Sequence, residues 1–286
     1  MKKNSVFIVL GILVGLDILA WLAVWELGQE RGLEVTFFDV GQGDAIFIET
    51  PVRQQILIDG GPSSIILEKL AKEMPFYDRN IDLVILTHPE KDHLFGLNEV
   101  LKRYKIENIL WTGVIRDLAE YKEWLNLIQK EGAKIKIAKA GQIIKLKNSH
   151  IDILYPLENF EDKTMENSND NSIVSRLIFN ENSFLFTGDI SIRAEKKLIE
   201  TKTQLKSNVL KVAHHGSKYS SSDEFLENSS PELAVIQVGK NTYGHPTEEV
   251  LIRLENFAIR ILRTDQNSDI KIFSDGKNIK YEVSNF

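Results

Sequence analysis

Short apolar runs recur along the chain, and most of them stop abruptly at a cluster of acids, histidines or glycines. The clusters are DVGQGDA at 39–45, THPEKDH at 87–93, TGD at 187–189 and KVAHHGS at 211–217, with YGHP at 243–246 as a fifth. Five of the six histidines fall within them. Acids and imidazoles are too costly to bury without partners, so such strand ends are expected to meet in a crevice at one sheet edge. Runs such as LVILT and FLFTGD are continuously apolar, the pattern of strands covered on both faces. Between them lie segments expected to be helical at 63–74, 94–105, 117–131, 191–205 and 247–257. The order predicts an α/β fold in which two mixed sheets are sandwiched between helix layers, a four-layer αββα sandwich. The polar stretch 157–171 reads as a long surface loop of the kind that often carries function.

The N-terminus follows another pattern. From Ser5 to Trp25 the chain runs 21 residues with Asp17 as its only charge, long enough to cross about 30 Å of hydrocarbon as a helix. An acid at mid-helix costs roughly 2.5 to 3.5 kcal/mol, whereas the thirteen Leu, Ile, Val and Phe together contribute about -4 to -8 kcal/mol. Insertion is therefore expected. Lys2 and Lys3 precede the run, while Glu26 and Glu30 follow it with Arg31 as the nearby base. The positive-inside rule then places the N-terminus in the cytoplasm and the rest of the chain outside. No small-residue cleavage pattern follows, which favours a retained single-pass anchor in the cytoplasmic membrane. The expected division is a membrane anchor with a short linker over 1–30 and a globular domain over 31–286.

The formal charge of -6 argues against a protein that grips nucleic acid over its whole surface. A local strip exists at 133–148, with five lysines and no acid, although lysines on exposed strands need no ligand. The chain has no cysteine, so any metal must be held by imidazole, carboxylate or amide groups. THPEKDH packs His88, Glu90, Asp92 and His93 within six residues, as a metal site would, although Asp92 could instead cap the next helix. Asp39 and Asp44 flank VGQG, whose glycines permit close backbone approach or simply a tight hairpin. Ser217 and Lys218 after HHG could meet a phosphate near a helix start. His150 reads as an ordinary surface histidine.

THPEKDH resembles the H-x-H-x-D-H signature of the metallo-β-lactamase superfamily, with LIDGG upstream and FTGD and a later histidine downstream. DVGQGDAIFI, LTHPEKDH, FLFTGD, KVAHHGS and YGHP together resemble the metallo-β-lactamase-like domain of ComEC-type DNA-uptake proteins, over about residues 33–283. Those proteins also carry a many-helix membrane portion, in place of which this chain has one apolar run. The resemblance implies two divalent ions held by His88, Glu90, Asp92, His93, Asp189 and His214, with Asp189 bridging them. It implies that Asp59 supports the metal loop. Glu90 stands where the superfamily has its second histidine, and the middle histidine has no counterpart before FLFTGD, where Asp170 or Asn171 would have to substitute.

A carboxylate-rich set tilts the expected metal to Mn²⁺, with Zn²⁺ second. The implied function is a membrane-anchored hydrolase, expected to be a phosphodiesterase or nuclease that cleaves DNA outside the cytoplasmic membrane through a metal-bridging hydroxide. Nucleic acid and the membrane are its expected partners. Asp92 at the reacting centre and His215 or His245 as proton donors are its candidate catalytic residues. The alternatives are a di-zinc hydrolase of a small ester, thioester or lactam, and a degenerate site serving as a polymer-binding module.

Overall fold

The structure, a computed structural model, describes residues 3–28, 31–165 and 168–284. It clusters into two units, Met1–Arg31 and Gly32–Phe286. The first contains helix α1 (Lys3–Gly28). Every residue of α1 whose side chain is described, Gly15 apart, is exposed, with the large apolar ones running from Val6 at 49% to Trp21 at 68%.

The second unit begins with β1 (Leu33–Phe37), β2 (Ile46–Glu49) and β3 (Gln55–Ile58). Helices α2 (Ile65–Glu73), α3 (Lys91–Leu101) and α4 (Ala119–Glu131) then alternate with β4 (Asn80–Ile85), β5 (Lys105–Trp111) and β6 (Lys134–Ile137). Next come β7 (Ile143–Lys145), β8 (His150–Tyr155), β9 (Val174–Phe179), β10 (Asn182–Phe186), α5 (Ile192–Glu200) and β11 (Val209–Lys211). The chain continues through α6 (Asp223–Ser229), β12 (Leu233–Ile236), α7 (Glu248–Asn256), β13 (Arg260–Arg263), α8 (Thr264–Asn267), β14 (Ile270–Ser274) and β15 (Ile279–Val283).

These strands form two sheets, β15-β14-β1-β2-β3-β4-β5-β6 and β13-β12-β11-β10-β9-β8-β7. Val35, Phe37, Ile48 and Ile58 of one sheet share an apolar core with Leu177, Phe184, Phe186 and Val235 of the other. Leu70, Leu97 and Trp124 of α2, α3 and α4 cover the outer face of the first sheet. Leu198, Phe225 and Leu254 of α5, α6 and α7 cover the second. The expected four-layer αββα sandwich is therefore present, and its strands are apolar on both faces because both faces are covered.

Within each sheet one run of strands is parallel. Ile58 pairs with Ile85, while Phe186 pairs with Lys211 and Lys211 with Val235. Parallel pairing sets the carboxyl ends of these strands side by side, so the polar residues that follow each strand gather at one place.

Helix α3 begins at Lys91, three residues before the expected start at 94, with Glu90 as its extended N-cap residue. Asp92 and His93 thus lie in its first turn. Close backbone approach fixes that turn: Gly60 donates its N–H to the His93 carbonyl at 2.8 Å, and Gly96 donates to the Gly61 carbonyl at 2.9 Å. A Cβ on Gly96 would lie 1.8 Å from the Gly60 oxygen. Gly96→Ala is therefore expected to lower unfolding free energy by about 2–3 kcal/mol, measured by urea titration; an unchanged midpoint would show that α3 can shift freely.

Two expectations need correction. The stretch 157–171 does not remain at the surface throughout, because Ser168 and Asn171 are buried around a short 3-10 turn at Asn169–Asn171. The transmembrane span expected over about 5–25 is not met, because among the described residues no helix is long and apolar enough to cross a membrane. The side chains of residues 5, 22, 23 and 25 in the expected span lie outside the described ones.

Candidate metal centre

Three imidazoles are oriented by what binds their Nδ1. Asp59, buried just after β3, accepts the Thr87 N–H at 2.8 Å and the Thr87 hydroxyl at 2.6 Å. With its proton given to Asp59, the Thr87 hydroxyl accepts from His88 Nδ1 at 3.1 Å. Asp59 also accepts from His93 Nδ1 at 2.8 Å, and the Gln237 carbonyl accepts from His215 Nδ1 at 2.8 Å. Each Nε2 is thereby left to face the crevice, the arrangement that orients metal-binding histidines. The Nε2 atoms of His88, His93 and His215 are buried without a hydrogen-bond partner, as is Oδ1 of Asp189. Such orphaned atoms are costly unless something else satisfies them.

A divalent ion fits. Nε2 of His215 lies 3.4 Å from Oδ2 of both Asp92 and Asp189. Nε2 of His93 lies 3.5 Å from Oδ2 of Asp189 and 4.0 Å from Oδ2 of Asp92. Four ligands held at about 2.1 Å in a tetrahedron stand about 3.4 Å apart. His88, His93 and Asp189 form an adjoining group whose ligand atoms all lie within 4.8 Å of one another. The ions themselves are supplied from outside the chain; these residues are what would hold them.

His214 and His215 follow β11 with φ of +51° and +53°, a left-handed conformation that non-glycine residues adopt at a cost. The result sends adjacent imidazoles to different places. His215, expected as a proton donor, lies buried among the ligand atoms. His214, expected as a ligand, is 31% exposed, with Nε2 3.9 Å from Asp189. It and His245, with ring centres 5.4 Å apart, line a cavity of about 220 Å³ together with His88, Glu90, Asp92 and Asp189.

The remaining expected residues divide by place. Glu90 lines the cavity, but its Oε1 accepts from Ser168 at 2.5 Å and pairs with Arg116 at 2.8 Å. Asp44 is buried in the centre, paired with Lys211; a Cβ on the preceding Gly43 would strike the Asp92 carbonyl at 2.2 Å, so glycine is required there. Asp39 accepts from Gly41 N–H at 3.1 Å and does not line the cavity. Asp170 accepts from Ser191 N–H at 3.2 Å. Asn171 is buried with its amide nitrogen unpartnered. Ser217 is buried beside the cavity wall, and Lys218 sits over the Tyr219 ring at 5.3 Å; neither lines the cavity.

Sequence reasoning missed Lys211, Arg116, Ser168 and Gln237. Lys211 alone carried a signal, as a single cation in the apolar run NVLKVA. It is buried, pairs with Asp44, stands 3.5 Å from Oδ1 of Asp189 and donates to the Gly188 carbonyl at 3.1 Å.

Burial alone would lower His93, but the carboxylates of Asp189, Asp59, Asp92 and Asp44 outweigh it and hold the imidazole well above its ordinary value. His215 is raised likewise against burial by Asp189 and Asp44. In Asp189 burial is overcome by His215, His93 and Lys211, which hold the carboxyl well below its usual range. His88 has no such excess of acids, and burial together with the charge of His93 lowers it to about 3. Without metal, His93 and His215 are therefore protonated at neutral pH. Their charge contributes stability that is complete below the ordinary imidazole value and lost as pH rises through the raised folded values. Metal uptake at pH 7 must displace these protons, so about two are expected to be released by the ion that binds His93 and His215, read from calorimetry in buffers of different ionisation enthalpy. A buffer-independent heat would contradict this.

Comparisons with known proteins agree with the geometry. The chain is 32% identical over 257 residues to ComE operon protein 3 of Bacillus subtilis, covering 83% of this chain and 32% of that protein. It is 32% identical over 245 residues to Competence protein ComA of Neisseria gonorrhoeae, covering 84% and 32%. It thus spans about a third of the length of these curated relatives. Among solved structures, the metallo-beta-lactamase fold protein YhfI of Bacillus subtilis superposes with a TM-score of 0.60 at 12% identity, covering 85% of this chain and all of that one. CmlA, a diiron beta-hydroxylase from Streptomyces venezuelae, gives 0.55 at 12% identity over 86% of this chain and 55% of its own. The family model of the Metallo-beta-lactamase superfamily matches residues 38–240, and with its two sheets and its crevice of histidines and aspartates the chain belongs to that superfamily.

Proposed function

We propose that this protein is a metal-dependent phosphodiesterase that cleaves nucleic acid outside the cytoplasmic membrane, to which α1 attaches it. The observation that carries the hydrolytic reading is the set of overlapping groups Asp92, His93, His215 and His88, His93, Asp189, with the histidine Nε2 atoms orphaned. Ligand atoms gathered in this way weigh against a degenerate binding module. Nucleic acid as substrate is supported by likeness to two competence proteins. A divalent ion in this group supplies Lewis-acid polarisation of a phosphoryl oxygen and water activation at neutral pH.

The chain's own residues do the rest. Asp59 and the Gln237 carbonyl hold the ligand imidazoles in position, and Lys211 balances the buried acids. His245, lowered to about 4 by burial and by the charges of His214 and His215, is neutral at pH 7 and carries no imidazolium proton to donate there. A cavity of about 220 Å³ admits a phosphodiester and little more, so the rest of a polymer would lie outside it, over the exposed Tyr243 at the rim.

Preference for Mn²⁺ rested on Glu90 as a ligand and on the absent middle histidine. Glu90 is engaged by Arg116 and Ser168, which weakens the first ground, and two imidazoles with two carboxylates suit Zn²⁺ equally. Attachment through α1 is supported by its exposed apolar side chains on every face, a surface that water does not favour. Carbonate extraction of membranes tests it: loss of the chain to the soluble fraction would refute attachment.

The function is tested with metal-free protein on labelled single- and double-stranded DNA with Mn²⁺, Zn²⁺ or Mg²⁺. Metal-dependent cleavage is expected. Intact DNA together with hydrolysis of a small ester, thioester or lactam would replace the nucleic-acid reading.

A further inference from the structure

Two cations of the chain itself stand against the carboxylate oxygens that a second ion would use. Around Asp189, Oδ2 faces Nε2 of His93, His214 and His215 at 3.5, 3.9 and 3.4 Å. Its Oδ1 faces Nζ of Lys211 at 3.5 Å instead. Glu90 places Oε1 on Arg116 and on Ser168, and Arg116 is itself tied to the Met165 carbonyl at 2.6 Å. Among the described residues, neither Glu90 nor His214 joins any group of ligand atoms lying within 4.8 Å of one another. The loop before β9, where another imidazole would complete a second site, supplies the amides Asn169 and Asn171, which are weaker ligands for Zn²⁺ than imidazole.

We infer that the centre is graded: one divalent ion binds tightly between Asp92, His93, His215 and Asp189, and a second, beside His88, binds about 100-fold or more weakly. The inference rests on the metal-hydrolase reading. Charge explains the difference. The first position meets the buried carboxylate of Asp189, the half-buried carboxylate of Asp92 and two oriented imidazoles. The second meets one oriented imidazole, a carboxylate shared with the first ion and with Lys211, and a Glu90 whose charge is offset by Arg116. A carboxylate engaged by a guanidinium must give up a charge-assisted hydrogen bond to serve a metal.

The test is calorimetric titration of the full chain in detergent, stripped of metal, with Zn²⁺ alone and with Mn²⁺ alone. One tight equivalent is expected, followed by a second at least about 100-fold weaker. Glu90→Gln should leave the tight ion within about 3-fold of its affinity. Arg116→Met should free Glu90 and strengthen the second ion by about 10-fold or more. If Arg116→Met does not fold, the wild-type titration and Glu90→Gln decide the matter. Two equivalents of equal affinity in the wild type, or a tight ion lost in Glu90→Gln, would overturn the inference and leave the hydrolase reading intact. No bound ion at all would remove both. One tight ion without cleavage of DNA would sustain the inference and remove only the nuclease reading.

Discussion

Replacing Asp189 by alanine is expected to lower metal-dependent kcat/KM by about three orders of magnitude or more, equivalent to at least about 4 kcal/mol of transition-state stabilisation. Asp189 follows β10, and among the described residues its Oδ2 is the one carboxylate oxygen within 4 Å of Nε2 of His93, His214 and His215 together. Its N–H donates to the Ser172 hydroxyl at 3.1 Å, which fixes the side chain's direction. Alanine removes the ligand and also the charge that keeps His93 and His215 raised. Both imidazoles should then titrate lower in the metal-free variant, visible by NMR of the ring protons. Asp189→Asn, which keeps shape and loses charge, should retain more thermal stability than alanine while losing comparable activity. Metal content measured by mass spectrometry after gel filtration separates the causes. A variant that keeps both its ion and its rate would remove Asp189 from the centre.

Lys211→Met should destabilise the metal-free protein by about 3–5 kcal/mol, because it removes the buried ammonium that, with His93 and His215, offsets the buried Asp44 and Asp189. Lys211 is 1% exposed. Burial alone would lower its ammonium group, and Asp44 and Asp189 reverse that and raise it. The Asp44 carboxyl is lowered in turn, since Lys211, His215 and His93 outweigh its burial. Removing both members of the pair is expected to cost less than the lysine change alone: Asp44→Asn with Lys211→Met should recover about 1–3 kcal/mol in a double-mutant cycle by urea unfolding. Strict additivity would mean that Lys211 answers to Asp189 alone. Bound metal should reduce the effect of Lys211→Met, because a divalent ion offsets the same carboxylates.

Elements with a strong local pattern could be read in advance. The helices at 65–73, 119–131, 192–200 and 248–256 fall within the expected segments, since apolar spacing alone shows which face each must bury. The expected helix at 191–205 is cut short at Glu200, where Lys202 takes φ of +56° and the chain turns to bury Leu205. Joining of β14 and β15 to β1, with Leu33 opposite Ser274, was not legible, because pairing across that sequence separation leaves no local mark.

For the site, residue types and strand ends were enough to bring His88, Asp92, His93 and Asp189 to one crevice. That much follows from the cost of burying polar groups and from parallel pairing, and both are written in the order of the residues. Direction and partnership were decided only by the folded chain. Two adjacent histidines, His214 and His215, point to different places because the backbone there is left-handed. Glu90 meets Arg116 and Ser168, and Asp44 meets Lys211, across gaps of 26, 78 and 167 positions. Ion pairs of that range depend on how sheets and loops pack, so the sequence by itself determined which chemistry is present at the crevice, and tertiary structure decided which groups remain available to use it.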